Sequence, residues 1–253
     1  PQPREFFRGV TVPARLTRFR EKMTLFREVG VDRVLCIPFN ESTAQMPPSF
    51  VVKDILKDRL GTNYIVVGDD FRFGRDQEGD YTMLEKAGDE YGYGVGQMGT
   101  LTFEHERVSS TRIRRALGED DFLMATMLLG RPYSIMGRVV YGRQLGRTIG
   151  VPTANIRLQR YRSAIEGVFV VTVNGLDREY NGVANVGVRP TVDGKEPLLE
   201  VHIFDFDEDI YSELLTVTIH RKIRNEFKFE SLEVLKIQIH KDIEVCKEWF
   251  ASR

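Results

Sequence analysis

Residues 133–142 have the sequence YSIMGRVVYG, and from this stretch onward the chain consists of short apolar runs. The later runs are separated by Gly, Asn, Asp and Pro, which favour turns. Consecutive strands without helices between them indicate an antiparallel sandwich or a small closed barrel. The later runs are residues 167–175, 178–187, 198–206 and 214–223.

The end of this β-rich region, residues 231–250, has the pattern of an amphipathic helix. Its apolar residues recur at helical spacing, and we expect the resulting stripe to pack against the strands. We therefore predict a β domain with a C-terminal helix over residues 131–253. The stripe consists of Leu235, Ile239, Ile243, Cys246 and Phe250.

The preceding region, residues 1–130, alternates between helical and extended patterns. Alternation of this kind is typical of an α/β layer with a parallel sheet, which binds ligands where its strands end. The first helix is expected to end at Gly30 and to bury one apolar face. That face consists of Leu16, Phe19, Met23, Phe26 and Val29; the helical runs are residues 16–30, 48–61 and 81–92, and the strands are residues 31–39 and 63–68.

The composition excludes several classes of protein. With 253 residues and a net charge of −1, the chain has no overall field that would attract nucleic acid or an acidic membrane. No apolar run reaches the length of about 18 residues that spans a bilayer. Two cysteines far apart, Cys36 and Cys246, fit neither a disulfide framework nor a zinc site and favour a reducing cytoplasm.

The most informative loop has the sequence GRTIGVPTAN, residues 146–155. Gly146 and Gly150 allow the backbone to close on phosphates, and the proline makes the following segment rigid. Thr153 and Asn155 are two residues apart, so they point the same way on an extended chain. Their oxygens are hard ligands that suit Mg²⁺ together with phosphate oxygens. This pattern predicts a site for a metal nucleotide; the alternative is a polar turn.

Two other glycine-rich stretches match nucleotide-binding motifs less well. GRQLGRT, residues 142–148, is one residue short of a P-loop and has Arg147 in place of lysine. GVGQMG, residues 94–99, follows a predicted helix, whereas a dinucleotide motif must follow a strand and open a helix. We therefore reject both as classical phosphate-binding motifs.

Two segments of the α/β half carry candidate ligand-binding groups. SSTRIRRAL, residues 109–117, combines capping hydroxyls with arginines in the first helical turns, where a bound triphosphate would offset their charge. GDDFRFG, residues 68–74, places Asp70 and Phe71 just after a strand. The alternatives are a cap with solvated arginines and a turn with buried aromatic rings.

Glu200 lies in the middle of the predicted strand LLEVHIF. Leu199 and Val201 occupy the opposite face, so strand alternation alone favours a solvent-exposed Glu200. The alternative is a general base inside a pocket.

Several ordered motifs together resemble the prokaryotic family that joins riboflavin kinase to FMN adenylyltransferase, or FAD synthetase. PQPREFF (residues 1–7), GDDFRFG and SSTRIRRAL resemble the adenylyltransferase half. GRTIGVPTAN, GVANVGVRPTV (182–192), LEVHIFDF and IRNEFKF (223–229) resemble the kinase half. The resemblance covers the whole chain.

For the kinase half, the resemblance implies a β-barrel with a C-terminal helix that phosphorylates riboflavin to FMN with ATP and Mg²⁺. Thr153 and Asn155 would hold the metal and the phosphates, and Glu200 would be the general base. The IRNEFKF segment, with Arg224, Glu226 and Phe229, would close over the flavin.

For the other half, the resemblance implies adenylylation of FMN to FAD, with Ser110, Arg112 and Arg114 at the ATP phosphates. That family carries a His-x-Gly-His string after its first strand, and no such string occurs in this sequence. The chain also opens on PQP, without a start methionine. We therefore expect a bifunctional parent protein and no adenylyltransferase activity from the chain as given.

Two rival functions remain at this point. The β domain would serve equally well as a non-catalytic flavin or nucleotide sensor, because a fold does not determine a function. A nucleic-acid-binding barrel is disfavoured by the balanced charge. The sequence leaves the oligomeric state open.

Overall fold

The computed structural model describes residues 12–142, 146, 149–191 and 194–253. The segment PQPREFF and most of the loop at residues 142–148, including Arg147, lie outside these residues. The helices are α1 (Phe19–Glu28), α2 (Glu41–Ala44), α3 (Pro48–Phe50), a π-helix (Val51–Arg59), a 3₁₀ turn (Arg75–Gln77), α4 (Tyr81–Tyr91), α5 (Ser110–Gly118), α6 (Phe122–Leu129) and α7 (Leu232–Ala251). The strands are β1 (Tyr64–Gly68), β2 (Gly94–Met98), β3 (Thr102–Phe103), β4 (Glu106–Arg107), β5 (Ser134–Val140), β6 (Ala154–Arg157), β7 (Gly167–Asn174), β8 (Tyr180–Thr191), β9 (Gly194–Ile203) and β10 (Leu214–Arg224).

The chain divides into two compact units. Arg33–Val108 forms most of the first unit, and the second combines Pro13–Asp32 with Ser109–Arg253. Helix α1 therefore groups with the β-rich region, although Arg33–Val108 separates the two in sequence. The predicted division between residues 130 and 131 stays a prediction.

The first unit contains the parallel strand pair β1–β2, with Tyr64 opposite Gly94. A parallel pair in a helix–strand–helix region confirms the predicted α/β layer. The predicted helix over residues 48–61 is present, but most of it has the hydrogen-bond pattern of a π-helix. The buried core beneath these elements consists of Val52, Val67, Leu84, Ala87 and Tyr93.

The strand predicted over residues 31–39 is wrong, because these residues form no regular element. Leu35 is 59% exposed and Ile37 is 48% exposed, so the apolar run is not buried. A strand needs a neighbour for its backbone hydrogen bonds. The part of the chain that the structure describes provides none beside this run.

The glycines of GVGQMG serve packing rather than phosphate binding. Residues 94–98 form β2, and a Cβ atom on Gly94 would lie 2.6 Å from the Tyr64 ring. The glycines therefore allow the Tyr64 side chain to lie flat on the neighbouring strand. This outcome confirms the rejection of a dinucleotide motif.

The second unit is built around a closed antiparallel barrel in the order β10-β5-β6-β9-β8-β7. Of the two predicted alternatives, the barrel is confirmed. On β9, Leu199 and Val201 are fully buried, and alternate residues of a barrel strand face inward and outward. Glu200 and His202 therefore lie on the outer face of the barrel wall.

Helix α7 covers part of that outer face, as its apolar stripe predicts. Ile243 and Cys246 are buried against Val168, Val183 and neighbouring residues, and Ile239 and Phe250 of the stripe pack against this cluster. Burial raises the pKa of the Cys246 thiol to about 12. Cys246 therefore acts as a small apolar core residue.

Helix α1 buries a carboxylate instead of its predicted apolar face. Phe19 is 56% exposed and Val29 is 77% exposed, whereas Glu21 is the buried residue of the helix. Of the predicted face only Leu16, which is 8% exposed, is buried, because hydrophobic periodicity carries no information about ion pairs. Glu21 is 7% and Arg160 1% exposed at the side chain, and their closest atoms are 2.6 Å apart.

This ion pair makes several further hydrogen bonds, although the buried Arg160 Nε has no partner among the described residues. Arg160 donates from Nη2 to both carboxylate oxygens of Glu21, and from Nη1 to the Tyr133 hydroxyl at 3.0 Å. The Met136 amide donates to Glu21 Oε1 at 2.9 Å. Arg160 also donates to the carbonyl of Arg15 at 3.0 Å, so the pair ties the α1 region to the barrel.

Removal of one partner of this pair is expected to destabilise the barrel unit strongly. Glu21→Ala leaves Arg160 as an uncompensated buried charge, which costs about 3–5 kcal/mol. Urea unfolding measures the loss. The matched control is Glu244→Ala, which removes an exposed ion pair with Lys247. Equal, small losses from both variants would contradict the structural role of Glu21.

His220 links two barrel strands by a polar contact and meets α7 through its ring. His220 Nε2 lies 3.0 Å from the Thr172 hydroxyl, and the His220 ring packs 5.3 Å from the ring of Trp249. Burial lowers the pKa of His220; nearby Arg253 also lowers it, and Glu179 opposes both effects. The folded state therefore favours the neutral imidazole.

This burial predicts that the protein loses stability as the pH falls. Because the folded state lowers the pKa of His220, its contribution is complete above the unfolded pKa of about 6.5 and declines below it. The free energy of unfolding at pH 7.5 and 5.5 tests this, followed through Trp249, the single tryptophan of the chain. His220→Gln should reduce the pH dependence, whereas His105→Gln, an exposed control, should not. The same slope in both variants would contradict the assignment.

Candidate active site

One row of polar side chains crosses three neighbouring strands of the barrel. Asn155 on β6 lies opposite Glu200 on β9, and Glu200 lies opposite Asn185 on β8. Directly opposed residues have Cβ atoms about 4.5–5.5 Å apart. The strand register therefore places an amide, a carboxylate and a second amide side by side on the outer face.

The two amides of this row have buried oxygens without a hydrogen-bond partner among the described residues. They are Asn155 Oδ1 and Asn185 Oδ1. The Asn155 amide nitrogen donates to the Thr153 carbonyl at 3.3 Å, and that of Asn185 donates to Glu226 Oε1 at 3.0 Å. A buried polar atom without a partner costs about 1–3 kcal/mol, so a ligand that supplies the partner is favoured.

The row lines a cavity of about 360 Å³ beneath α7, which we call the helix-side cavity. Its polar lining includes Asn155, Glu200, Asn185 and Glu226. Its apolar walls are suited to a flat aromatic ligand. Those walls include Val168, Val183, Phe227, Phe229, Leu232, Leu235 and Ile239.

The segment at residues 223–229 is held over this cavity by an ion pair. Arg224 donates from Nε and Nη2 to the buried carboxylate of Asp242, with the shortest distance 2.8 Å. The guanidinium carbon of Arg224 lies 4.5 Å from the centre of the Phe227 ring and 5.6 Å from that of Phe229. Arg224 therefore connects α7 to the aromatic rings at the mouth of the cavity.

A second cavity of about 360 Å³ adjoins the first, and we call it the loop-side cavity. Thr153 and Asn155 line both cavities, whereas Gly150 and residues 206–211 line only this one. The ring of Tyr211 stacks on that of Tyr141, with centroids 3.8 Å apart. The Thr153–Asn155 segment is thus the wall between the two cavities.

The backbone before Thr153 is fixed by a histidine. His202 Nδ1 lies 2.8 Å from the Pro152 carbonyl, which only accepts, so the imidazole carries its proton on Nδ1. Burial lowers the pKa of His202, which also favours the neutral ring. His202 therefore anchors the loop that presents Thr153.

Family models match both halves of the chain. The riboflavin kinase model matches residues 129–250, and the FAD synthetase model matches residues 1–112. The bifunctional riboflavin kinase/FMN adenylyltransferase of Escherichia coli K12 is 46% identical over 251 residues, which cover 99% of this chain and 80% of that protein. The chain belongs to this bifunctional family.

Another relative has the same description, and one solved structure is similar in sequence and fold. The Pseudomonas fluorescens protein of the same description is 47% identical, covering 98% of this chain and 79% of its own length. A crystal structure named as a macrolide-efflux protein from Streptococcus pneumoniae is 32% identical, with a TM-score of 0.76, and covers 95% of this chain and 80% of its own. Among the described residues, no helix is both long and apolar enough to cross a membrane.

The structure brings most of the predicted kinase residues together. They line the helix-side cavity, and only Gly150 lies in the neighbouring loop-side cavity. The expectation from strand alternation that Glu200 faces open solvent is wrong, because α7 and residues 223–229 cover this part of the outer face. The residues in the helix-side cavity are Gly146, Thr153, Asn155, Glu200, Arg224, Glu226 and Phe229.

In the first unit, Asp70 and Phe71 follow β1 directly. Asp70 Oδ2 accepts a hydrogen bond from Arg107 Nη2 at 2.7 Å, and the rings of Phe71 and Phe73 stack 5.6 Å apart. The neighbouring Asp69 accepts a short hydrogen bond from Thr100, which lowers the pKa of that carboxyl. These contacts organise the turn; the ligand-binding role of Asp70 and Phe71 stays a prediction.

In the second unit, the predicted cap of α5 is confirmed. Ser109 accepts a hydrogen bond from the Arg112 amide at 3.2 Å, and Ser110 is the first helical residue. The Arg112 side chain is buried, with Nη2 3.9 Å from the Met124 sulfur, and Arg114 donates to the Ala14 carbonyl at 2.6 Å. Phosphate binding by Ser110, Arg112 and Arg114 stays a prediction.

Sequence reasoning missed two polar residues of the helix-side cavity. Asn185 is a single amide within the apolar run GVANVG, and Asp242 interrupts the apolar stripe of α7 beside Ile243. In both cases the signal is a polar residue where periodicity predicts an apolar neighbourhood. Their partners, Glu226 and Arg224, come from a distant segment that periodicity does not connect to them.

Proposed function

We propose that the chain transfers the γ-phosphoryl group of ATP to the 5′-hydroxyl of the ribityl chain of riboflavin, forming FMN. The observation that carries this proposal is the position of Glu200. Glu200 lines the helix-side cavity and lies in the strand row directly opposite Asn155, which lines both cavities. Phosphoryl transfer needs such a place, because donor and acceptor must meet in line.

The chemistry of the two cavities assigns one substrate to each. The apolar and aromatic walls of the helix-side cavity suit the isoalloxazine ring, and its polar row suits the ribityl chain. The loop-side cavity would take ATP, with Gly150 and Thr153 near the phosphates. Asp207, Glu208 and Asp209 line that cavity and favour a nucleotide whose charge is reduced by a cation.

The residues at the shared wall fit Mg²⁺. Asn155 Oδ1 is buried without a partner among the described residues, and the Thr153 hydroxyl lies on the same segment. Mg²⁺ prefers oxygen ligands and binds through few protein groups when phosphates supply the rest. The described part of the chain contains no cluster of three His, Cys, Asp or Glu residues, so an all-protein metal cage is not favoured. When bound, the ion would reduce the negative charge of the phosphates.

In this proposal Glu200 accepts the proton of the 5′-hydroxyl as that oxygen attacks. The carboxylate also orients the hydroxyl, and Phe227 and Phe229 exclude water from the flavin side. Because the transition state of phosphoryl transfer is loose, positioning contributes more than proton removal. For the α/β half, the FAD synthetase match supports adenylylation of FMN as the second activity of the family.

The decisive experiment is incubation of the chain with riboflavin, ATP and Mg²⁺, followed by chromatographic separation of flavins. FMN formation supports the kinase, and riboflavin binding without FMN formation would support a sensor instead. A parallel incubation with FMN and ATP, scored for FAD, tests the second activity.

Substitution of Glu200 should slow turnover without weakening nucleotide binding. We expect Glu200→Ala to lower kcat about 100-fold, at the lower end of general-base effects. Initial rates of FMN formation and ATP affinity measure the two quantities. Glu244→Ala, on the exposed face of α7, is the control. An unchanged kcat in Glu200→Ala would remove Glu200 from the mechanism.

Substitution of Asn155 should reduce the effect of Mg²⁺ on nucleotide affinity. Asn155→Ala removes the amide oxygen, whereas Asn155→Asp keeps an oxygen ligand and should retain the effect. Nucleotide titrations with and without Mg²⁺ give the ratio of the two affinities for each variant. If Asn155→Ala keeps the wild-type ratio, Asn155 does not bind the metal.

A further inference from the structure

The amide of Asn185 has a fixed orientation in the helix-side cavity. A carboxylate only accepts hydrogen bonds, so the amide nitrogen of Asn185 must face Glu226, 3.0 Å away. The amide oxygen then points away from Glu226, and it is the buried oxygen without a partner among the described residues. The assignment of the amide oxygen and nitrogen of Asn185 therefore follows from hydrogen-bond chemistry.

The position of Glu226 depends in turn on a glycine. A Cβ atom on Gly187 would lie 2.8 Å from the carboxylate carbon of Glu226, so only a glycine leaves the observed space. Gly187 is two residues beyond Asn185 on β8, on the same face of the strand. The strand therefore provides both the amide and the space for the carboxylate that orients it.

Asn185 and Asn155 lie on opposite sides of Glu200, but they belong to different surroundings. Asn155 lines both cavities, whereas Asn185 lines only the helix-side cavity. A group that meets Asn185 is therefore part of the acceptor substrate in the helix-side cavity.

We propose that Asn185 is a substrate-binding residue that recognises the ribityl chain. Its amide oxygen accepts a hydrogen bond from a secondary hydroxyl of that chain and so aligns the 5′-hydroxyl with Glu200. This inference rests on the proposed kinase function. Asn185 and Glu200 are on adjacent strands, about 4.8 Å apart. That separation is short enough for two hydroxyls of one polyol chain to reach both side chains. The imide N–H of the flavin ring lies at the far end of the ring system and is too distant from the 5′-oxygen to meet Asn185.

The test compares riboflavin with lumiflavin, which carries a methyl group in place of the ribityl chain. Asn185→Ala should weaken riboflavin binding about 3- to 10-fold, the loss expected for one uncharged hydrogen bond. It should leave lumiflavin affinity unchanged. Quenching of flavin fluorescence measures both affinities, and the rate of FMN formation shows whether KM for riboflavin rises while KM for ATP stays constant.

The matched control is Asn174→Ala. Asn174 donates its amide nitrogen to Glu179 at 2.6 Å, so it is also an Asn–Glu pair on the barrel, but this hydrogen bond is exposed and lies outside both cavities. Neither flavin affinity should change in this variant.

A second variant tests the same contact without changing Asn185. Gly187→Ala displaces the Glu226 carboxylate, so the Asn185 amide is no longer held in one orientation. We expect riboflavin affinity to fall and lumiflavin affinity to stay unchanged, as in Asn185→Ala. Thermal unfolding of each variant confirms that the barrel is folded.

Two results would overturn the proposal. Equal losses of riboflavin and lumiflavin affinity would mean that Asn185 only shapes the cavity wall. Unchanged riboflavin affinity would mean that no hydroxyl contacts Asn185. Absence of FMN formation by the wild-type chain is a different result, since it contradicts the kinase function while the two affinities still decide the role of Asn185.

Discussion

The antiparallel register of β6, β9 and β8 is the constraint on which the site depends. It sets Asn155, Glu200 and Asn185 in one row. Because side chains alternate along a strand, a slip of one residue in β9 would turn Glu200 into the barrel interior and bring Leu199 or Val201 to the surface. The fully buried Leu199 and Val201 thus hold the register that places Glu200 in the helix-side cavity. In this protein the packing of the barrel interior and the chemistry on its outer face are two consequences of the same pairing.

Helix α7 converts that outer face into a cavity. Its apolar stripe packs on the barrel, and the buried carboxylate of Asp242 holds Arg224 beside Phe227 and Phe229. An ion pair of this kind carries a desolvation cost and adds little net stability compared with apolar packing. Its effect is geometric, since it determines where the aromatic rings lie. The polar row and the aromatic cover therefore come from segments far apart in sequence that meet only in the folded chain.

Sequence patterns predicted the elements more reliably than the contacts between them. The β-rich runs and the final amphipathic helix were evident because both periodicities reflect burial of one face, and the capping serine of α5 was evident from local chemistry. The strand predicted over residues 31–39 does not form, because a strand depends on a neighbouring strand as well as on its own residues. The buried face of α1 was missed because Glu21 is buried by its pairing with Arg160, 139 positions away. At the site, local sequence motifs identified Thr153, Asn155 and Glu200 as candidates. Asn185 and Asp242 were missed because they act through partners that no local pattern identifies.

The Glu21–Arg160 pair also bears on how the chain can be divided. Because α1 belongs with the barrel and Arg33–Val108 belongs to the other unit, the barrel unit is discontinuous in sequence. Cleavage of the chain at one position cannot separate the two units without removing Glu21, the counter-charge of Arg160, from the barrel unit. The chain has two functional halves, but the segments of its two compact units alternate along the sequence. Neither unit can therefore be exchanged as one continuous segment.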